Sequence, residues 1–121
     1  MVRVGSMPAP VAPSIPLREL RESLGLSRER MGRLLEVSSR TVERWEESGA
    51  LPQSSFILGR LAQIREIVEL GLIVYSREGF KHFLVLPMPL FEGYSALQLI
   101  ELGKGDRVLS ALAADYEGLG Y

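Results

Sequence analysis

Cysteine is absent from the 121 residues. That removes a disulfide framework and a thiolate metal site. Histidine occurs once, at His82, so a multi-histidine metal site is excluded, as is a Ser/His/Asp triad with a spare acid–base histidine. Flanked by Lys81 and Phe83 on a helical stretch, His82 reads as a surface or packing residue. No apolar run reaches the ~18 residues of a membrane span. The opening stretch, Met1 to Pro16, lacks the uninterrupted apolar core of a secretory signal. A cytoplasmic protein with no membrane partner is therefore expected. A glycine-rich phosphate loop, a metal cluster and a nucleophile–base pair are all missing. Asp106, Asp115 and Glu117 are explained by caps and solvated faces, so the chain reads as no enzyme, with no catalytic residue, cofactor or metal.

What is present is a core-forming composition, 46% apolar and 24% charged, ordinary for one compact domain or two very small ones. The net charge of −1 hides a split. Residues 1–65 carry ten arginines against seven glutamates, whereas residues 66–121 carry four basic residues against eight acids. A basic front and an acidic rear suit two different partners. Every basic residue of the front half is arginine, the side chain suited to forked contacts with phosphates and base edges.

Pro8, Pro10, Pro13 and Pro16 forbid a helix over residues 1–16, which read as a flexible arm or simply an untidy terminus. Helical spacing begins with Leu17, Leu20 and Leu24 and stops at Gly25. Ser27 caps a second helix from about Arg28 to Leu35. Ser38 or Ser39 caps a third, ending near Ser48-Gly49. Ser54-Ser55 opens a long helix with the apolar stripe Phe56, Ile57, Leu58, Leu61, Ile64, Ile67 and Val68, closing at Gly71. Leu72 to Tyr75 is the only strand-like stretch. Helices are expected from about Ser76 to Val85, from Ser95 to Leu102 and from Asp106 to Tyr116, with a Pro87–Gly93 loop between the first two. The fold class is all-α: a helix-turn-helix N-terminal bundle over residues 17–71, followed by a small helical C-terminal domain over residues 72–121.

Arg28–Glu47 fits a helix-turn-helix. With Arg28 as the first place, the interior places hold Met31, Leu35, Val37, Val42 and Trp45, and Trp45 reads as core. The fifth place must be small where the helices cross, and it is Gly32. The ninth, at the left-handed bend of the turn, is Glu36 where glycine is usual. With Val42 and Trp45 inward, Ser39, Arg40, Glu43, Arg44 and Glu47 face out. Arginines at the start of such a helix reach guanine edges or phosphates in the major groove. The DNA-binding candidates are Arg28, Ser39, Arg40, Thr41, Glu43 and Arg44. Of these, Ser39 and Thr41 suit phosphate oxygens, and Arg28 suits phosphate at the start of its helix. Glu43 would accept from cytosine or merely pair with Arg40. For each arginine the plain alternative is a solvated helix face.

The segment Ser27–Gly49, SRERMGRLLEVSSRTVERWEESG, resembles the Xre/Cro-like helix-turn-helix, with Arg28 replacing a usual glutamine and Glu36 a usual glycine. The segment Phe83–Tyr121 resembles the toxin-binding domain of Xre/MbcA/ParS-type antitoxins. Phe83-Leu84 stands for a Trp-Leu pair and Pro87-Met88-Pro89 for a Pro-Asn-Pro-like loop. Gly93, Ser95, Gly105, Val108-Leu109, Tyr116 and Gly118 fall at further signature places; Ala96 departs from a usual proline. The resemblance implies an antitoxin that forms a homodimer, blocks a RES-domain toxin that degrades NAD, and represses its own operon at an operator in duplex DNA. It also implies toxin contacts by Tyr116, Gly118, Leu119 and Tyr121, with Gly118 and Gly120 letting a tail follow a cleft. The remaining alternative is a stand-alone helix-turn-helix transcriptional regulator whose rear half serves dimerisation only.

Overall fold

The computed structural model describes residues 16–50 and 52–119. Among these, the elements are α1 (Leu17–Leu24), α2 (Arg28–Leu35), α3 (Ser39–Ser48), α4 (Ser55–Val74), α5 (Arg77–Val85), a 3-10 turn at Pro89–Phe91, α6 (Ala96–Glu101) and α7 (Gly105–Gly118). The fold is all-α, as expected. The proline-rich segment up to Ile15 lies outside the described residues.

Serine punctuates the chain. Ser27, Ser38, Ser54, Ser76 and Ser95 each accept a hydrogen bond from the backbone N–H three residues on. Each side chain thereby satisfies a donor that the helix start leaves unpaired. At Ser95 the exchange is mutual, because Gln98 Oε1 accepts from the Ser95 N–H at 2.8 Å. The cap of α3 is Ser38, so Ser39 is its first helical residue.

Helices from both halves share one core. Leu17, Leu20 and Leu24 of α1 join Met31, Leu34 and Leu35 of α2, Ile64 and Ile67 of α4, Phe80 and Leu84 of α5, and Val108 and Leu112 of α7. The long α4 lies along α7, while α2 touches α6 and α1 touches α5. An ion pair reinforces the α2–α6 contact, Arg30 Nε to Glu101 Oε2 at 2.6 Å. Arg60 Nη1 donates to the Leu34 carbonyl at 2.7 Å, satisfying an acceptor at the open end of α2.

Several expectations need correction. Leu72–Val74 is not strand-like but the last turn of α4, and Gly71 does not end that helix. β-Branched residues yield here to helical context: the Tyr75 N–H donates to the Gly71 carbonyl at 2.8 Å. Gly71 is present because a Cβ there would overlap the Phe80 ring. Phe56 and Leu58 do not belong to the buried stripe; they are 48% and 39% exposed, and the Arg60 guanidinium sits 5.0 Å from the Phe56 ring centre. Gly105 opens α7 rather than preceding it, and α7 runs on through Gly118.

Glu36 does take the left-handed conformation, at φ 60° and ψ 42°. A residue with a Cβ is strained there by about 1 kcal/mol. Glu36→Gly is therefore expected to raise the unfolding free energy by about 0.5–1 kcal/mol, less than the full strain because glycine loosens the unfolded chain. Equilibrium denaturation checks this; an unchanged or lower midpoint would mean the turn is relaxed with glutamate in place.

Candidate nucleic-acid interface

The interior places of the helix-turn-helix are filled as its sterics require. Met31, Leu35 and Val42 are fully buried, and Val37 and Trp45 are partly buried against the same core. Trp45 is therefore less enclosed than a core residue, since one side of it lines an open groove of about 400 Å³ with Leu17, Leu20, Leu58 and Leu61. Gly32 is needed, but for a different reason than the crossing of helices. A Cβ at Gly32 would stand 2.5 Å from the Val37 carbonyl oxygen, so it is the turn's own backbone that rests on the glycine. That contact fixes where α3 begins.

With this support α3 presents Ser39, Arg40, Glu43, Arg44 and Glu47 to solvent. Among the described residues, neither Arg40 nor Arg44 has a hydrogen bond or ion pair. Both guanidinium forks are therefore free, one helical turn apart. Thr41 is partly buried, and its hydroxyl lies 3.0 Å from the Ser38 hydroxyl, so it belongs to the cap. Arg28 does not stand free at the start of α2; its Nε donates to Glu46 Oε1 at 3.1 Å.

Glu46 is the residue that sequence reasoning missed. Its side chain has no solvent exposure, and Arg18, Arg21 and Arg28 surround it. The sequence shows only the separate parts: Arg18 and Arg21 are three apart on α1 and share a face, and Glu46 lies at the seam between the inward and outward faces of α3, but nothing in it joins them. Burial pushes the Glu46 carboxyl up, but hydrogen bonds from Arg21 and Arg28 outweigh it and hold it below the ordinary glutamate value. A carboxylate depressed in the folded state stabilises the fold above its unfolded pKa, and loses that contribution as pH falls through the folded one. Stability is accordingly expected to drop more steeply below the ordinary carboxylate range in the native protein than in Glu46→Gln. Parallel pH-dependent melts of the two would contradict this.

In the rear half Phe83 meets the Pro87–Gly93 loop of the antitoxin resemblance. Phe83 and Leu84 are buried, and Phe83 stacks on Tyr75 at 5.2 Å between ring centres and meets Phe91 edge-on at 6.4 Å. The Pro87–Gly93 loop closes through the Met88 carbonyl, which accepts from Phe91 and Gly93, each at 2.9 Å. Arg107 of α7 straps it down, donating to Glu92 at 2.6 and 3.2 Å and to the Leu90 carbonyl at 2.9 Å. Hydrogen bonding to Arg107 holds the Glu92 carboxyl below its ordinary value. Of the tail candidates, Tyr116 is partly buried on α7, Gly118 is the last helical residue, and Leu119 is 51% exposed. Gly118 therefore belongs to α7 and not to a tail beyond it. Tyr121 lies outside the described residues.

A helix-turn-helix with a free arginine face, continued into a second helical module, defines a DNA-binding regulator. Residues 15–66 match the family described as a helix-turn-helix domain. Over most of its length the chain is similar to a chain of the solved M. tuberculosis MbcT–MbcA toxin–antitoxin complex. The TM-score is 0.71 at 26% identity, covering 85% of this chain and 92% of that one. No curated protein matches the sequence. The chain thus carries a helix-turn-helix domain and shares its fold, across both halves, with a chain of a toxin–antitoxin complex.

Proposed function

We propose that this protein is the antitoxin of a type II toxin–antitoxin pair, that it neutralises a RES-domain toxin that degrades NAD, and that it represses its own operon as a cytoplasmic homodimer. Residues 17–71 read the operator and residues 72–121 hold the toxin. The observation that carries the reading is the likeness to the toxin–antitoxin complex, which extends over both halves and not over the helix-turn-helix alone. The free Arg40 and Arg44 forks support operator contact, with Ser39 and Glu43 beside them and Arg28 and Thr41 at the backbone. The exposed Gly118 and Leu119 at the end of α7, after the partly buried Tyr116 and ahead of Tyr121 in the sequence, support an insertion of this end into the toxin. A homodimer would present two recognition helices to half-sites one helical turn apart.

Co-expression with the product of the adjacent gene tests it. That product is expected to deplete NAD and stop growth alone, and to be silenced and co-purified by this protein. A neighbour with neither toxicity nor affinity would leave the stand-alone regulator as the answer. In that case operator binding would survive deletion of residues 117–121.

A further inference from the structure

The three arginines around Glu46 are not equivalent. Arg21 uses every nitrogen: Nε to Glu46 Oε2 at 2.6 Å, Nη2 to Oε1 at 3.2 Å, and Nη1 to the Leu26 carbonyl at 3.0 Å. Its side chain is only 14% exposed, so its role is to tie α1 to α3. Arg28 is held by Nε alone, 3.1 Å from Oε1, and its side chain is 38% exposed. Arg18 approaches the same Oε1 at 3.5 Å, an ion pair without a hydrogen bond, and is 52% exposed. One covered carboxylate thus neutralises one guanidinium and leaves two others converging on a single oxygen atom. Their terminal N–H groups have no acceptor among the described residues.

The cluster also has a defined place relative to the exposed arginine face. Glu46 follows Ser39 by seven residues, nearly two full turns, so it lies on almost the same side of α3 and about 10 Å further along its axis. A major groove is about 12 Å wide. When the Ser39–Arg40 end of α3 is in the groove, the cluster lies at the groove's lip, where the phosphates run. A guanidinium fork matches the two free oxygens of a phosphodiester, and a fork already anchored through Nε loses less freedom on binding.

We propose that Arg18 and Arg28 together grip one backbone phosphate of the bound duplex, with Glu46 as the positioning residue that holds both forks toward it. This rests on the DNA-binding reading of α3 given above. Neither Arg18 nor Glu46 is marked by the helix-turn-helix pattern; their pairing is visible only in three dimensions.

The experiment measures affinity against salt for the full chain, using a mixed-sequence duplex of about 30 base pairs, where phosphate contacts dominate. Losing one phosphate contact lowers the log–log salt slope by about 0.9 and the affinity about 5-fold near physiological salt. The Arg18→Ala/Arg28→Ala double variant is expected to show that loss. Glu46→Gln adds a net positive charge, so a carboxylate acting through charge alone predicts tighter binding. The positioning role predicts binding weakened by about 3-fold or more, in protein whose circular dichroism spectrum is native. An unchanged slope in the double variant overturns the proposal, as does a loss of about 1.8, which would mean two separate phosphates. Tighter binding by Glu46→Gln also overturns it. If Glu46→Gln does not fold, the double variant alone decides. A wild-type protein whose binding shows no salt slope fails at the DNA reading itself, whereas a wild-type slope that the double variant keeps fails only here.

Discussion

Phe80→Ala is expected to lower the unfolding free energy by about 3–5 kcal/mol, the largest single effect foreseen for a stability variant of this chain. The ring is fully buried and stacks on Phe83 with 6.4 Å between centres. Its edge fits the notch that Gly71 leaves in α4. Glycine has no side chain that could swing into the vacated space, so the cavity would persist and its neighbours would lose their contacts outright. In a domain whose whole stability is about 5–15 kcal/mol, that places the variant near the unfolding threshold. Gly71→Ala alone should also destabilise, because its methyl group meets the ring, and the two changes together should cost less than their sum. Denaturant titration of the four proteins measures the coupling. A strictly additive result would show that the ring and the notch do not depend on each other.

Arg40→Ala is expected to weaken binding to a selected duplex by about 1–3 kcal/mol and to relax preference at one base pair, while changing stability by less than about 0.5 kcal/mol. The reasoning is local. Arg40 is exposed, one residue into α3, and holds no hydrogen-bond or ion-pair partner among the described residues, so removing it breaks no such contact there. Whatever is lost must be lost from the complex. Arg28→Ala should weaken all sequences alike, because a phosphate contact does not discriminate between bases. Anisotropy titrations against the selected duplex and its single-base variants separate the two behaviours. Uniform weakening by Arg40→Ala would move that residue from base reading to backbone contact.

Much of this architecture is legible in the sequence because it is written in short-range chemistry. Serine followed by an apolar period marks helix starts, and the strict places held by Met31, Gly32, Leu35 and Val42 mark the turn. Even Glu36, the residue that departs from the pattern, adopts the backbone that the pattern demands. The misreadings arise where packing between elements, and not the local pattern, decides. Gly71 looks like a helix stop until the Phe80 ring is seen against it, and Leu72–Val74 looks like a strand until α4 is seen running through it. Phe56 and Leu58 fall in the apolar stripe of α4, yet they stay exposed among the described residues.

The outward face of α3 was legible for the same reason as the fold. Once Val42 faces inward, helical geometry alone sends Arg40, Glu43 and Arg44 outward. The Glu46 cluster was not, since it gathers Arg18 and Arg21 of α1, Arg28 of α2 and a glutamate of α3. Periodicity within one helix cannot show three helices meeting at one carboxylate. The arginine excess of the front half was visible, but not that Arg21 is internally neutralised while Arg40 and Arg44 have no partner among the described residues.

The central claim is that duplex DNA meets this protein at the outer face of α3, and an NMR titration of the full chain with duplex tests it most directly. Backbone amide signals of Ser39, Arg40, Glu43 and Arg44 are predicted to shift or broaden first, ahead of those on α5, α6 and α7. Shifts confined to the rear helices, with the α3 signals unmoved at saturating duplex, would contradict the account.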